Sequence, residues 1–248
     1  MSATSSFPSL VPDFRVVRAL PSSALGERLL IESVTERTPR LAHVLPASIA
    51  DRLASGVELL ARRRLPHVEP IEQVRSDSGK AVLIAPYLGH IGGLITLEGL
   101  AASRGGRLSA AEITYAAEHL LTAFDAAHGQ RIYNGALDPA LVLVDRGGRT
   151  HIELFGVARY CERGPLGAEK VTEQELLAEL MSLFELLFRV LTGLDRRSLG
   201  VRPGQVVAGL DPGLDAWLAK GLAAVEGQPG FESAEHALSE LRGLRGGT

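Results

Sequence analysis

Apolar residues along this chain follow two different periods, and the change comes about a third of the way in. Up to Leu88 they fall in short runs. Phe14 to Leu20 mixes Val16 and Val17 with Arg15 and Arg18 and breaks at Pro21-Ser22-Ser23. Arg28 to Ser33 and Arg40 to Leu45 follow. Runs of this length, separated by Pro, Ser and Gly, predict strands joined as hairpins. Ile71 to Arg75 and Lys80 to Leu88 predict one more hairpin, around Ser76 to Gly79. One helical pattern interrupts them, opening at Ser48 and carrying Ile49, Leu53, Val57, Leu60 and Ala61.

Beyond Gly89 the period becomes helical. Ser109 and Glu112 form a capping box ahead of Ile113, Ala117, Leu120, Leu121 and Phe124. Thr172 and Glu175 form a second box, opening a helix that the apolar pattern carries to Thr192. Asp211 with Pro212 caps a third helix, and Ser233 starts the last. Two short strands, Ala140 to Val144 and His151 to Leu154, flank the turn at Asp145 to Gly148. Strands first and helices after, rather than alternating, predict an α+β protein of two lobes, not a doubly wound sheet.

Composition narrows the classes. The chain has 248 residues, 46% of them hydrophobic and 22% charged, enough for a sizeable core without metals or disulfides. A net charge of −3 gives no electrostatic footprint for nucleic acid. The single cysteine, Cys161, rules out an internal disulfide framework and reads as an incidental thiol in a reducing compartment. Met1 to Phe14 has no apolar h-region, and Leu176 to Leu194 is interrupted by Glu179, Glu185 and Arg189. The expectation is a cytoplasmic protein without a membrane span.

Seven short stretches, in order, resemble parts of a eukaryotic-like Ser/Thr protein kinase domain of the bacterial kind. They are Phe14 to Leu20 (first strand), Leu83 to Leu88 (hinge), Gly106 to His128 (the approach to the catalytic loop) and Pro139 to Asp145 (its end). Phe155 to Arg159 follows as the start of an activation segment, then Leu186 to Gly193 and Phe231 to Ala234 in the helical lobe. The resemblance implies a tail over 1–13, a strand-rich lobe over 14–88 with its hinge at Ala85, Pro86, Tyr87 and Leu88, and a helical lobe over 89–244.

It also implies where the phosphate-transfer residues should stand. The glycine-rich loop corresponds to Pro21 to Gly26, in which Pro21 and Ser23 occupy loop positions and only Gly26 remains of the glycines. The phosphate-gripping lysine corresponds to His43, and its partner glutamate falls near Gly56. The catalytic aspartate becomes Ala136, and the two magnesium ligands become Leu141 and Leu154, the latter followed by Phe155 and Gly156. A leucine offers no oxygen to magnesium. Leu41 and Arg28 correspond to residues that line the adenine slot and would crowd it. Glu153 reads as ordinary strand polarity. Asp138, the one acid left in the loop, reads as a cap of turn N–H groups.

The expectation is therefore a degenerate kinase domain, or pseudokinase. It would not be an enzyme, would have no cofactor and no metal, and would act as an interaction, regulatory or scaffolding module on other proteins. The alternative is a divergent phosphotransferase or nucleotide sensor.

Overall fold

The computed structural model describes residues 10–45, 60–77, 80–89, 95–168, 170–195, 201–223 and 230–246. The helix expected from Ser48 falls outside these residues except for its end, as do Gly56 and the turn at Ser78 and Gly79.

Five strands, β1 (Phe14–Ser23), β2 (Gly26–Ser33), β3 (Pro39–Leu45), β4 (Gln73–Asp77) and β5 (Lys80–Pro86), form one antiparallel sheet in the order β1-β2-β3-β5-β4. β1 does not break at Pro21. It continues to Ser23 at the sheet edge, where no neighbour needs the missing N–H, and takes up register shifts after Val16 and after Leu20. Side chains alternate strictly through the centre of the sheet. Leu29, Ile31, Ala42, Val82 and Ile84 share one core with Val11, while Leu45, Ala81 and Leu83 belong to the larger core of the helical part. By the same period of two, Arg28 and His43, paired across β2 and β3, stand on the face toward the helices.

The helical part contains α1 (Leu97–Ser103), α2 (Ala110–Gly129), α3 (Val157–Ala168), α4 (Glu173–Thr192), the single turn α5 (Pro203–Val206), α6 (Pro212–Ala223) and α7 (Ala234–Gly246). Both predicted capping boxes close, with Ser109 and Thr172 each exchanging hydrogen bonds with the glutamate three residues on. α4 ends on Gly193, whose φ of 72° is open to glycine at little cost. A small hairpin, β6 (Val142–Val144) and β7 (Thr150–Ile152), lies between α2 and α3; the expected strand start at Ala140 is instead a 3-10 turn over Pro139–Leu141. The helix α3 was not anticipated: its polar residues Arg159, Glu162 and Arg163 obscure the apolar face carried by Val157, Tyr160 and Cys161.

α4 is the hub. Leu183, Phe184, Leu187 and Phe188 have no exposed surface, and the Phe184 ring lies against Trp217 of α6 and Phe231, at centroid distances of 4.8 and 5.4 Å. Gly221 admits this ring, because a Cβ there would meet Phe184 at 2.2 Å. Phe184→Ala is expected to lower unfolding free energy by about 3–5 kcal/mol. Denaturant titration checks this, and a loss under about 1 kcal/mol would contradict a filled contact at this position.

Candidate functional site

The seam between sheet and helices is built in three places. At the first, residues 67–69 run beside β7: Ile152 N donates to the His67 carbonyl (2.9 Å) and Glu69 N donates to the Ile152 carbonyl (2.9 Å). Around this ladder His151 bridges two acids, with Nδ1 3.0 Å from Glu69 and Nε2 3.2 Å from Asp145. Burial pulls the His151 ring down, but its hydrogen bonds to Glu69 and Asp145 outweigh that and hold it above the usual histidine range. The His67 and His119 rings stack at 4.2 Å, and burial holds both below that range.

At the second place the sheet faces the 3-10 turn and the residues after β7. Arg28, 1% exposed, sends Nη1 to the Ala140 carbonyl (3.1 Å) and Nη2 to Glu153 Oε2 (2.6 Å). His43 lies beside them with Nε2 3.9 Å from the same carboxyl oxygen. That separation is too long for a hydrogen bond, and neither ring nitrogen of His43, nor Arg28 Nε, has a partner among the described residues. Burial, reinforced by the Arg28 charge, pulls His43 down to about 3, so the ring is neutral throughout the physiological range. Burial pushes Glu153 up to about 8, with Arg28 opposing the rise and Glu69 adding to it.

Asp138 adds a third link. One carboxylate oxygen caps Ala140 N (2.9 Å), as its place before a turn proline suggested, and the other accepts from Ala24 N (3.2 Å) in the β1–β2 loop. The loop that holds Asp138 is itself clamped from below. Glu179, buried in α4, accepts from Asn134 N (3.0 Å) and Gly135 N (3.3 Å), with His128 Nε2 3.3 Å away. Asn134 in turn accepts from Gly156 N (2.9 Å).

The motif positions expected from sequence fall around these links. Pro21 and Ser23 close β1, Gly26 opens β2, and His43 lies in β3. Ala136, Leu141 and Leu154 line a cavity of about 110 Å³ together with Leu25, Asp138 and Glu153. Leu154 holds a φ of 52°, uncommon for a leucine, and Gly156 holds 79°. Phe155 packs edge-on against Phe124 at 5.2 Å. Ala85 and Pro86 end β5, and Tyr87 and Leu88 follow it. Small-molecule sites ordinarily measure about 300–1,000 Å³, so the cavity at Ala136, Leu141 and Leu154 by itself is smaller than a typical one. Among the described residues no group of His, Cys, Asp and Glu side chains is arranged to hold a metal ion.

Ala136, Leu141 and Leu154 lie around one cavity, and Arg28, expected only as an obstruction of the adenine slot, is a hydrogen-bonding group of the seam. Glu153, expected as ordinary strand polarity, and Glu179, expected only as an interruption of an apolar run, are both buried acceptors. The one available signal was an acid inside an otherwise apolar run, at Glu179 in α4 and Glu153 after β7.

With this geometry in view, the architecture is that of a protein kinase, a sheet above a helical part. A crystal structure of Rad53 residues 1–466, a protein kinase, in complex with AMP-PNP superposes with a TM-score of 0.72 and 16% identity. The match covers 92% of this chain and 64% of that one, so this chain spans less than two thirds of the Rad53 chain. No protein-family profile and no curated protein matches the sequence. The likeness establishes the fold. It also corrects the expectation that the chain is not an enzyme: a solved protein sharing this fold is a kinase holding a nucleotide analogue. Missing motif residues therefore do not make this chain a non-enzyme, and that reading is not retained.

Because Glu153 is held above the carboxylate range, folding favours its protonated form. Stability is then full below the unfolded-state value near 4.5 and is lost as pH rises toward about 8. Glu153→Gln keeps an acceptor for Arg28 without an ionisable proton. Between pH 5 and pH 8 the variant is expected to gain on the order of 1–2 kcal/mol relative to wild type in denaturant titrations. Parallel pH profiles for the two proteins would show that Glu153 is not the titrating group.

Proposed function

We propose that this chain is a kinase-fold regulatory module that acts by binding other proteins in bacterial signalling, within the cytoplasm. The observation that carries the reading is the Arg28 side chain. It crosses from β2 to Ala140 and Glu153 and ties the sheet to the loop beside a cavity of only about 110 Å³, which supports a role carried by outer surfaces. The motif counterparts Pro21, Ser23, Gly26, His43, Gly56, Ala136, Leu141, Leu154, Phe155 and Gly156 belong to the same proposal. So does the division into a tail over 1–13 and lobes over 14–88 and 89–244, which places the boundary in the connection between β5 and α1. Absence of nucleic acid from its partners is argued from the net charge of −3.

A second reading, a divergent phosphotransferase or nucleotide sensor, rests on two observations. Rad53 was solved with AMP-PNP in the same fold, and Asp138 stands against the β1–β2 loop where a phosphate loop would lie.

Two measurements separate the readings. Thermal unfolding with and without millimolar ATP and magnesium is expected to show little change, whereas a site filled at a hundredfold excess of ligand would add about 2.7 kcal/mol. In parallel, tagged full-length protein is crosslinked in its host and purified. The expected result is a defined protein partner retained by Asp138→Ala, which should lose only about 1 kcal/mol of stability with its turn cap. Magnesium-dependent stabilisation, with phosphate transfer that disappears in Asp138→Ala, would establish the second reading instead.

A further inference from the structure

A separate cavity of about 450 Å³ opens between α1, α2 and the turn joining β6 to β7. It shares no lining residue with the small cavity at Asp138 and Glu153. Its floor is aliphatic: Leu97, Leu108, Ala116 and Val144 each expose 5% or less of their surface. One wall is the Tyr115 ring, 52% exposed, over which the Arg245 guanidinium lies 4.9 Å from the centroid.

The polar groups at its mouth are unequal in what they have left to offer. Glu112 already accepts from Ser109 N (2.9 Å), from Ser109 Oγ (2.8 Å) and from Arg104. Asp145, behind the mouth, accepts from Gly147 N (2.7 Å) and Arg149 N (2.9 Å), and its other oxygen faces His151 (3.2 Å) and Arg149 Nε (3.3 Å). A carboxylate has about four acceptor sites, so these two acids are nearly or fully occupied. A guanidinium has five N–H groups. Arg104 commits one to Glu112, and Arg149 turns one toward Asp145, while their side chains remain 53% and 68% exposed. Exposed pairs of this kind hold their partners weakly, by about 0–1 kcal/mol. The mouth therefore has donors to spare and few acceptors, above an apolar floor.

We propose that this cavity is a binding site for a small amphiphilic carboxylate, with its apolar body on Leu97, Leu108, Ala116 and Val144 and its carboxylate between Arg104 and Arg149. An ammonium at the same place would find the acids committed and would face two cations. The volume lies within the usual range for small-molecule sites, and an aliphatic floor with a few convergent polar groups is their usual lining. None of the residues lining this cavity takes part in the Arg28 or Asp138 contacts.

The test uses the full chain and two probes of equal length, octanoate and 1-octanol, titrated by calorimetry at low salt. Octanoate is expected to bind in the range of about 0.1–1 mM, and 1-octanol about tenfold more weakly. Arg104→Gln with Arg149→Gln, which changes only exposed side chains, should weaken octanoate about tenfold and leave 1-octanol unchanged. Ala116→Phe, which fills the floor, should abolish both. No octanoate binding to the wild type overturns the proposal. So does equal binding of acid and alcohol, or octanoate affinity that survives the double arginine change or, in folded protein, the filled floor.

Discussion

A buried guanidinium beside a buried carboxyl governs how the two parts of this molecule meet. Arg28 and Glu153 expose 1% and 2% of their side chains, and 125 residues of chain separate them. Removing a cation from water costs several kcal/mol, which only close acceptors offset. Arg28 finds two, a carbonyl and a carboxyl, and both belong to the helical part. Lifting the sheet away would break both hydrogen bonds but return the guanidinium to water, so the pair restrains opening only by the excess of those bonds over its rehydration. His43 fits the same logic in the neutral form, since a second cation next to Arg28 would have no acceptor of its own.

A second buried acid holds the opposite side of the seam. Glu179 reaches from the middle of α4 to backbone N–H groups of Asn134 and Gly135, and Asn134 hands the constraint on to Gly156. The loop carrying Asp138 is thus pinned to the buried helix α4. Asp138 then ties that loop to Ala24 at the sheet edge. Two routes, one through Arg28 and one through Asp138, fix the sheet on its base, while the 67–69 stretch pairs with β7 beside them.

Much of the scaffold was legible because its signals are local. The capping boxes at Ser109 and Thr172, the glycine after Thr192 and the Pro and Ser punctuation between strands each lie within a few residues of the geometry they specify. Where a signal needed a distant partner, local reading failed. Pro21 reads as a strand break, but its missing N–H matters only where a neighbouring strand needs it, and β1 is an edge strand. Helix α3 hid behind Arg159, Glu162 and Arg163; Arg163 pairs with Glu175 at the start of α4, a partner that spacing alone does not identify.

The site shows the same division more sharply. Read one position at a time, Arg28 is an intruder in an adenine slot, Glu153 is strand polarity and His43 is a poor lysine. Together they form one polar unit: period two in β2 and β3 puts Arg28 and His43 on the same face, and the turn after β7 brings Glu153 beneath them. A charge on that face has to be met by a group from the opposite part, because a lone buried charge would cost more than the fold can spare. The unusual arginine and the unusual acid therefore imply each other. Neither residue type by itself carries that information. It lies in the pairing, which a chain of weak motif matches cannot supply and which the packing of sheet on helices does.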